Sequence, residues 1–120
     1  MDIYSTSYKK ELEKFESQLR LLDNILSSFA YENKMVLTKN ADMGAERTLT
    51  WGEENRKKIQ IFLNNKKKGT YNLWLSAAYD VAEKRYWKNF YLKKDVEFEV
   101  IKKNIGKLLL ESKQIVDSWK

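Results

Sequence analysis

The side chains of this 120-residue chain best suited to acid–base chemistry fall into three carboxylate groupings: Glu53-Glu54, Asp80 with Glu83, and Glu97 with Glu99. Paired carboxylates serve as general acid and base when a shared cleft drives their pKa values apart. Each grouping also has an ordinary reading as a turn, loop or helix-start acid. The run Glu83-Lys84-Arg85-Tyr86 collects an acid, two cations and a phenol, but its spacing demands no cleft. Ser112-Lys113 reads as a helix-surface pair. Gly44, Gly52, Gly69 and Gly106 are isolated, so the sequence spells neither a nucleophile elbow nor a phosphate-cradling glycine loop.

The chain has no histidine and no cysteine. That removes the usual ligand sets for zinc, copper, haem and iron–sulfur clusters, leaving only the hard oxygen donors of Asp and Glu. It also removes thiol nucleophiles and His-based triads. We therefore expect a non-enzymatic protein with no catalytic residue, metal site or cofactor. The stretch Met1–Ser17 is charged where a secretory leader needs an apolar centre, which together with the lack of cysteine predicts an intracellular, cytoplasmic protein. Apolar runs are short, as in Leu108–Leu110, against the roughly 20 residues of a membrane span, so no membrane partner is expected.

With 23 Lys and Arg against 17 Asp and Glu, the net charge is +6, and its placement carries more information than its total. Residues 1–30 hold four cations and five acids, residues 31–94 fourteen and seven, and residues 95–120 five and five. The excess belongs to the middle, in clusters such as Arg56-Lys57-Lys58, Lys66-Lys67-Lys68, Lys84-Arg85 and Lys93-Lys94. Lysines near turns and strand ends solubilise loops and guard sheet edges, and they also suit an anionic partner.

Hydrophobic periodicity supplies the elements that would position these groups. From about Ser7 to Phe29, the residues Tyr8, Leu12, Phe15, Leu19, Leu22, Leu26 and Phe29 form one helical stripe, widened by Leu21 and Ile25 and preceded by the candidate N-caps Ser5 and Ser7. Phe98, Ile101, Ile105, Leu108, Ile115 and Trp119 repeat the pattern behind Asp95 as an expected N-cap, with Ser112 in the gap. Gly106 lies inside this second helix and suggests a close approach by another element. Between the helices the period changes to two, with strands expected over 47–51, 58–64, 71–79 and 85–93 and an edge strand over 33–38. Hairpins are expected over 40–45, 52–55, 64–69 and 80–84, although Ala77, Ala78, Val81 and Ala82 would also tolerate a helix. The whole chain, 1–120, reads as a single α+β domain. It should form a two-layer sandwich, with an antiparallel meander of four to five strands between an N-terminal and a C-terminal helix, and both helices on one face.

On that plan the helices cover Leu49, Ile59, Ile61, Leu63, Leu73, Leu75, Phe90 and Leu92, and the opposite face is open. The open face carries Thr48, Thr50, Gln60, Asn72 and Ser76 together with the candidate binding residues Phe62, Trp74, Arg85, Trp87, Asn89, Tyr91 and Lys93. Aromatic residues mixed with cations fit two functions. One is a protein-binding domain of immunity or inhibitor type whose rings anchor an acidic partner. The other is a single-stranded nucleic-acid surface that stacks bases on the same rings. The protein reading comes first, because no RNP-like, Gly-x-x-Gly or zinc-finger signature is present. Burial of the same rings in a small second core, or in a homodimer, would also account for them.

Overall fold

The computed structural model describes residues 3–40 and 45–119, with side chains from 12 to 39 and from 45 to 119. The alternating middle of the chain folds as a five-stranded antiparallel meander. Its strands are β1 (Val36–Asn40), β2 (Glu46–Trp51), β3 (Lys57–Asn65), β4 (Thr70–Val81) and β5 (Lys84–Glu97), in spatial order β1-β2-β3-β4-β5. β1 starts later than the expected edge strand because Lys34 takes a positive φ of 54° and Met35 N bonds back to Ala30 O at 2.8 Å. Segment 76–85 is strand and turn throughout, with no helix. The hairpin expected around Gly44 falls on residues 41–44, outside the described residues.

The N-terminal stripe is realised as two helices rather than one, α1 (Ile3–Arg20) and α2 (Asp23–Glu32). No Gly or Pro marks the break. Between them Leu21 N bonds Gln18 O and Leu22 N bonds Leu19 O, at 3.1 and 2.9 Å, a tighter three-residue spacing that interrupts the α-helical ladder. Leu12, Phe15, Leu19, Leu22, Leu26 and Phe29 stay buried across the break, whereas Leu21 and Ile25 are exposed and do not widen the stripe. Ser5 and Ser7 lie within α1 and so cannot precede it as N-caps.

The C-terminal stripe forms α3 (Phe98–Ser118), which begins three residues after the expected cap. Asp95 does not cap it. Its backbone takes a φ of 55°, and its Oδ1 accepts from Thr70 Oγ1 at 2.6 Å and from Asn64 Nδ2 at 3.1 Å, so it locks an irregular stretch of β5 onto β3 and β4. These hydrogen bonds, with Lys68 adding its charge, hold the Asp95 carboxyl below the ordinary carboxylate value.

Register shows which face of the sheet the helices cover. Leu49 pairs with Ile59, Ile59 with Leu75, and Ile61 with Leu73, so these buried residues share one face with Arg47, Trp51, Tyr71 and Ala77. All three helices touch that face. The Phe15 ring of α1 and the Phe98 ring of α3 lie 6.3 and 5.5 Å from the Tyr71 ring. α2 reaches the face through Asp23, which accepts from Arg47, and α3 also through Asp117, which accepts from Trp51 Nε1 at 2.9 Å. The two-layer α+β arrangement with a meander sheet is therefore the observed one. No described helix is long and apolar enough to cross a membrane.

Arg47 sits where the sheet meets α1 and α2, with a side chain only 1% exposed. Its guanidinium donates to both Glu16 oxygens, at 2.5 and 3.0 Å, to Asp23 Oδ1 at 2.8 Å, and to the Glu46 carbonyl at 3.0 Å. Burial disfavours the guanidinium charge, but the hydrogen bonds from Glu16 and Asp23 and their charges outweigh it and raise the pKa above the ordinary arginine value. Each helix contributes one carboxylate, so one cation fixes both to β2. Tyr71 completes the inner layer, its hydroxyl donating to Gln18 Oε1 at 2.7 Å, and burial followed by the nearby Glu16 charge pushes its pKa up.

Gly106 shows no close approach. A Cβ built there meets nothing within 4 Å, so the glycine only weakens α3.

Arg47→Ala strands two carboxylates and should cost about 3 kcal/mol in chemical denaturation, at the low end for a broken buried pair because Glu16 and Asp23 keep 16% and 15% of their side chains in water. A loss below about 1 kcal/mol would mean that the guanidinium does not hold the helices. Gly106→Ala should raise stability by up to about 1 kcal/mol in the same assay, and a loss would reveal a contact at that position.

Candidate interaction surface

β4 and β5 have 12 and 14 residues, against five and six for β1 and β2, and a strand of that length spans roughly 40 Å. The protein is elongated to match, measuring 50 × 32 × 24 Å. The distal parts of β4 and β5, Ala78 to Trp87, are joined at Ala82-Glu83 and run past the end of β3 as a two-stranded arm, and every residue from Tyr79 to Tyr91 is exposed. The turn is tight, with positive φ at both Ala82 (51°) and Glu83 (68°), as a two-residue hairpin requires.

On the outer face, cross-strand pairing runs Thr48, Gln60, Trp74, Tyr91 in one row and Thr50, Lys58, Ser76, Asn89 in the next, followed by the pairs Ala78–Trp87 and Asp80–Arg85. Six of the seven candidate binding residues thus share one face: Phe62, Trp74, Arg85, Trp87, Asn89 and Tyr91. Phe62 pairs with Asn72, which makes it a diagonal neighbour of Trp74. Phe62 and Trp74 are half-buried, and Trp87 and Tyr91 stand out at 53% and 44% exposure. Small polar side chains fill the spaces between rings. Ser76 Oγ lies 3.0 Å from Asn89 Oδ1, and Gln60 Nε2 donates to Thr48 Oγ1 and to Glu46 Oε2, both at 3.2 Å.

One candidate residue, Lys93, lies off this face, and another, Arg85, lies on it with its charge paired. Lys93 pairs with Leu73, a residue of the helix-side face, because the register shifts between the Leu73 and Trp74 pairs. That irregularity takes Lys93 out of the outer alternation. Arg85 keeps its place on the outer face, but its charge is compensated. Glu54 and Asp80 each accept from both Arg56 and Arg85, at 2.8 to 3.3 Å, in a closed group of two cations and two acids. Hydrogen bonds from Arg56, reinforced by Arg85, hold both carboxyls below their ordinary values. These acids therefore serve as ion-pair partners, and among the described residues no cluster of three or more Asp and Glu is arranged to hold a metal.

The helix side of β5 and of the arm carries aromatic residues that the alternation assigns to the core or leaves unplaced. Phe90 pairs with the fully buried Leu75 and so lies on the helix side, yet it is 46% exposed, because β5 is the sheet's last strand and the helices stop short of it. Tyr79 and Tyr86 pair across the arm with stacked rings 5.7 Å apart. The one sequence signal for an arm was the length of these two alternating stretches relative to the others.

At the arm's root a cleft of about 230 Å³ opens between Lys57, Tyr79, Lys88 and Trp119. It is smaller than the roughly 300 Å³ at which ligand pockets begin, and its cations are engaged. Lys88 Nζ lies 5.2 Å from the Trp119 ring centre, and Lys57 donates to Asp117 at 2.8 Å. Asp117 also accepts from Lys113 and Trp51, which ties the end of α3 to the sheet. Partial burial disfavours the Asp117 charge, but the hydrogen bonds from Lys113, Lys57 and Trp51 prevail and hold its carboxyl well below the usual range.

A folded-state pKa below the unfolded value means that this contribution is complete above about pH 3.9 and is lost as the pH falls below it. Asp117→Asn should therefore destabilise by about 1–2 kcal/mol at pH 6 and by less at pH 2.5, where the unfolded chain already binds the proton, measured by urea denaturation at both pH values. An equal loss at both would assign Asp117 a role independent of its charge.

Comparison with known proteins finds no matching family model, no matching curated protein and no matching solved structure, so this surface is read from its own chemistry.

Proposed function

We propose that the chain is a non-enzymatic protein-binding domain, of immunity or inhibitor type, that holds its partner with the β4–β5 arm and the outer sheet face beside it. The observation that carries this reading is the exposure of Tyr79, Val81, Tyr86, Trp87, Phe90 and Tyr91, each 41% to 53% accessible, on the two sides of one ribbon. Together they leave roughly 500 Å² of side chain in water, a large part of the about 800 Å² that each partner buries in a standard interface. Tyrosine and tryptophan are also the anchors that dominate binding energy. An intracellular setting belongs to the same proposal.

A second reading, single-stranded nucleic-acid binding, is favoured by Lys88 and Lys94, which sit 5.2 Å from the Trp119 and Tyr91 ring centres. Against it, Glu54 and Asp80 beside the arm neutralise Arg85, and Glu83 adds a further acid at the turn.

The double variant Trp87→Ala/Tyr91→Ala tests the proposal. Its melting temperature should stay within about 5 °C of the parent, since both rings are half in water, while proteins captured by the parent from its own cells should be lost. Unfolding of the variant would make the rings core residues and remove the surface. Mixed-sequence single strands, titrated against tryptophan fluorescence at low and moderate salt, should quench little. Quenching that weakens with salt, by about −0.7 in log–log slope per neutralised phosphate, would favour the second reading instead.

A further inference from the structure

β5 is the terminal strand of the sheet, with β4 its one partner, and among the described residues nothing packs against its far side between Lys84 and Tyr91, where every residue is exposed. Over this stretch the pairing with β4 is regular from Val81–Lys84 to Trp74–Tyr91, and the bulged part of β5 begins only after Tyr91. Eight residues, about 26 Å, thus present a straight edge on which every second N–H and C=O points away from the sheet. Such edges are normally kept short, bulged, covered, or guarded by charge. Only the last of these devices is present.

The guard is of one sign. From Lys84 to Lys94 there are five cations and no acid, and among the described residues only Arg85 of the five is paired with carboxylates, Asp80 and Glu54. An antiparallel pairing of two such edges would bring like charges together, so a second copy of the chain is a poor occupant. A nucleic acid would satisfy the charge but leaves the outward amides and carbonyls without a matching backbone. A polypeptide strand rich in Asp and Glu satisfies both.

We infer that the occupant of this surface is an extended acidic segment of a partner protein, added to the sheet as a sixth strand along β5. This rests on the protein-binding reading and specifies its partner. Alternation along β5 also orders the side chains of the added strand. Lys84, Tyr86, Lys88 and Phe90 share the helix side, and Arg85, Trp87, Asn89 and Tyr91 share the outer side. The segment that fits has acids beside Lys84 and Lys88 on one face and apolar residues beside Trp87 and Tyr91 on the other.

The test titrates the full chain with a capped twelve-residue peptide alternating Glu and Val. Tryptophan fluorescence follows binding, and NMR hydrogen exchange follows the amides of residues 84–91. The peptide should bind and slow alternate amides in this stretch by at least about tenfold, as strand addition requires, while a Lys/Val peptide of the same length should not bind. Lys84→Glu/Lys88→Glu should weaken the Glu/Val peptide by about tenfold or more. Binding without slowed amides would overturn strand addition but leave the protein-binding reading intact. Binding of a mixed-sequence oligonucleotide with none of the peptide would overturn both. No binding of the peptide at millimolar concentration would overturn the inference. So would slowing of the same amides with protein concentration alone, which would make a second copy the occupant.

Discussion

One buried guanidinium determines how the two layers meet. Arg47 lies on the helix-facing side of β2, and the carboxylates that satisfy it come from different helices, Glu16 from α1 and Asp23 from α2. A charge removed from water in this way is tolerable only while both partners remain in place. Arg47 therefore ties both α1 and α2 to β2, beside the separate Tyr71–Gln18 and Lys39–Asp23 contacts. The remaining inner surface, with Leu49, Ile59, Ile61, Tyr71, Leu73 and Leu75, closes around that point by ordinary apolar packing.

With the N-terminal helices anchored over β2, α3 packs over the centre of the sheet, reaching Tyr71 through Phe98 and Trp51 through Asp117. The helices leave the far end of β4 and β5 uncovered. Exposure of the arm is thus a consequence of layer geometry, not of an unusually polar sequence: Tyr86 and Phe90 are as apolar as many core residues, but they stand beyond the helices. The same geometry separates two kinds of charge. Acids near the helices are used internally, by Arg47 and by Lys57 and Lys113, while most of the lysines along β5 remain without carboxylate partners among the described residues.

The strands and the sidedness of the sheet were legible because alternation with period two is a direct record of burial. Leu49, Ile59, Ile61, Leu73 and Leu75 fell on the covered face as expected, and Trp74, Trp87 and Tyr91 on the other. What escaped was whatever depended on contacts distant in sequence. Glu16 and Asp23 look like solvated helix acids until Arg47 is seen between them, although Arg47 shares its parity with Leu49 and Trp51 and could have been flagged as a cation on a buried face. The break after Arg20 involves a three-residue hydrogen-bond spacing at Leu21 and Leu22 and no breaker residue, so composition offers no trace of it. Phe90 and Lys93 were misplaced because alternation says nothing of where the second layer ends or where a bulge resets the count.

The turn at the end of the arm has a consequence for how its two strands are aligned. Ala82 and Glu83 adopt left-handed conformations that glycine or asparagine would accept far more readily, so the turn itself adds little to the preference for this alignment. Alignment must instead come from the side chains just inside it, the Tyr79–Tyr86 stack and the Asp80–Arg85 pair. A slip of one residue would break both contacts and exchange the two sets of rings between the faces of the arm. The tip of this hairpin thus resembles a zip whose teeth, not its end stop, keep the two sides in step.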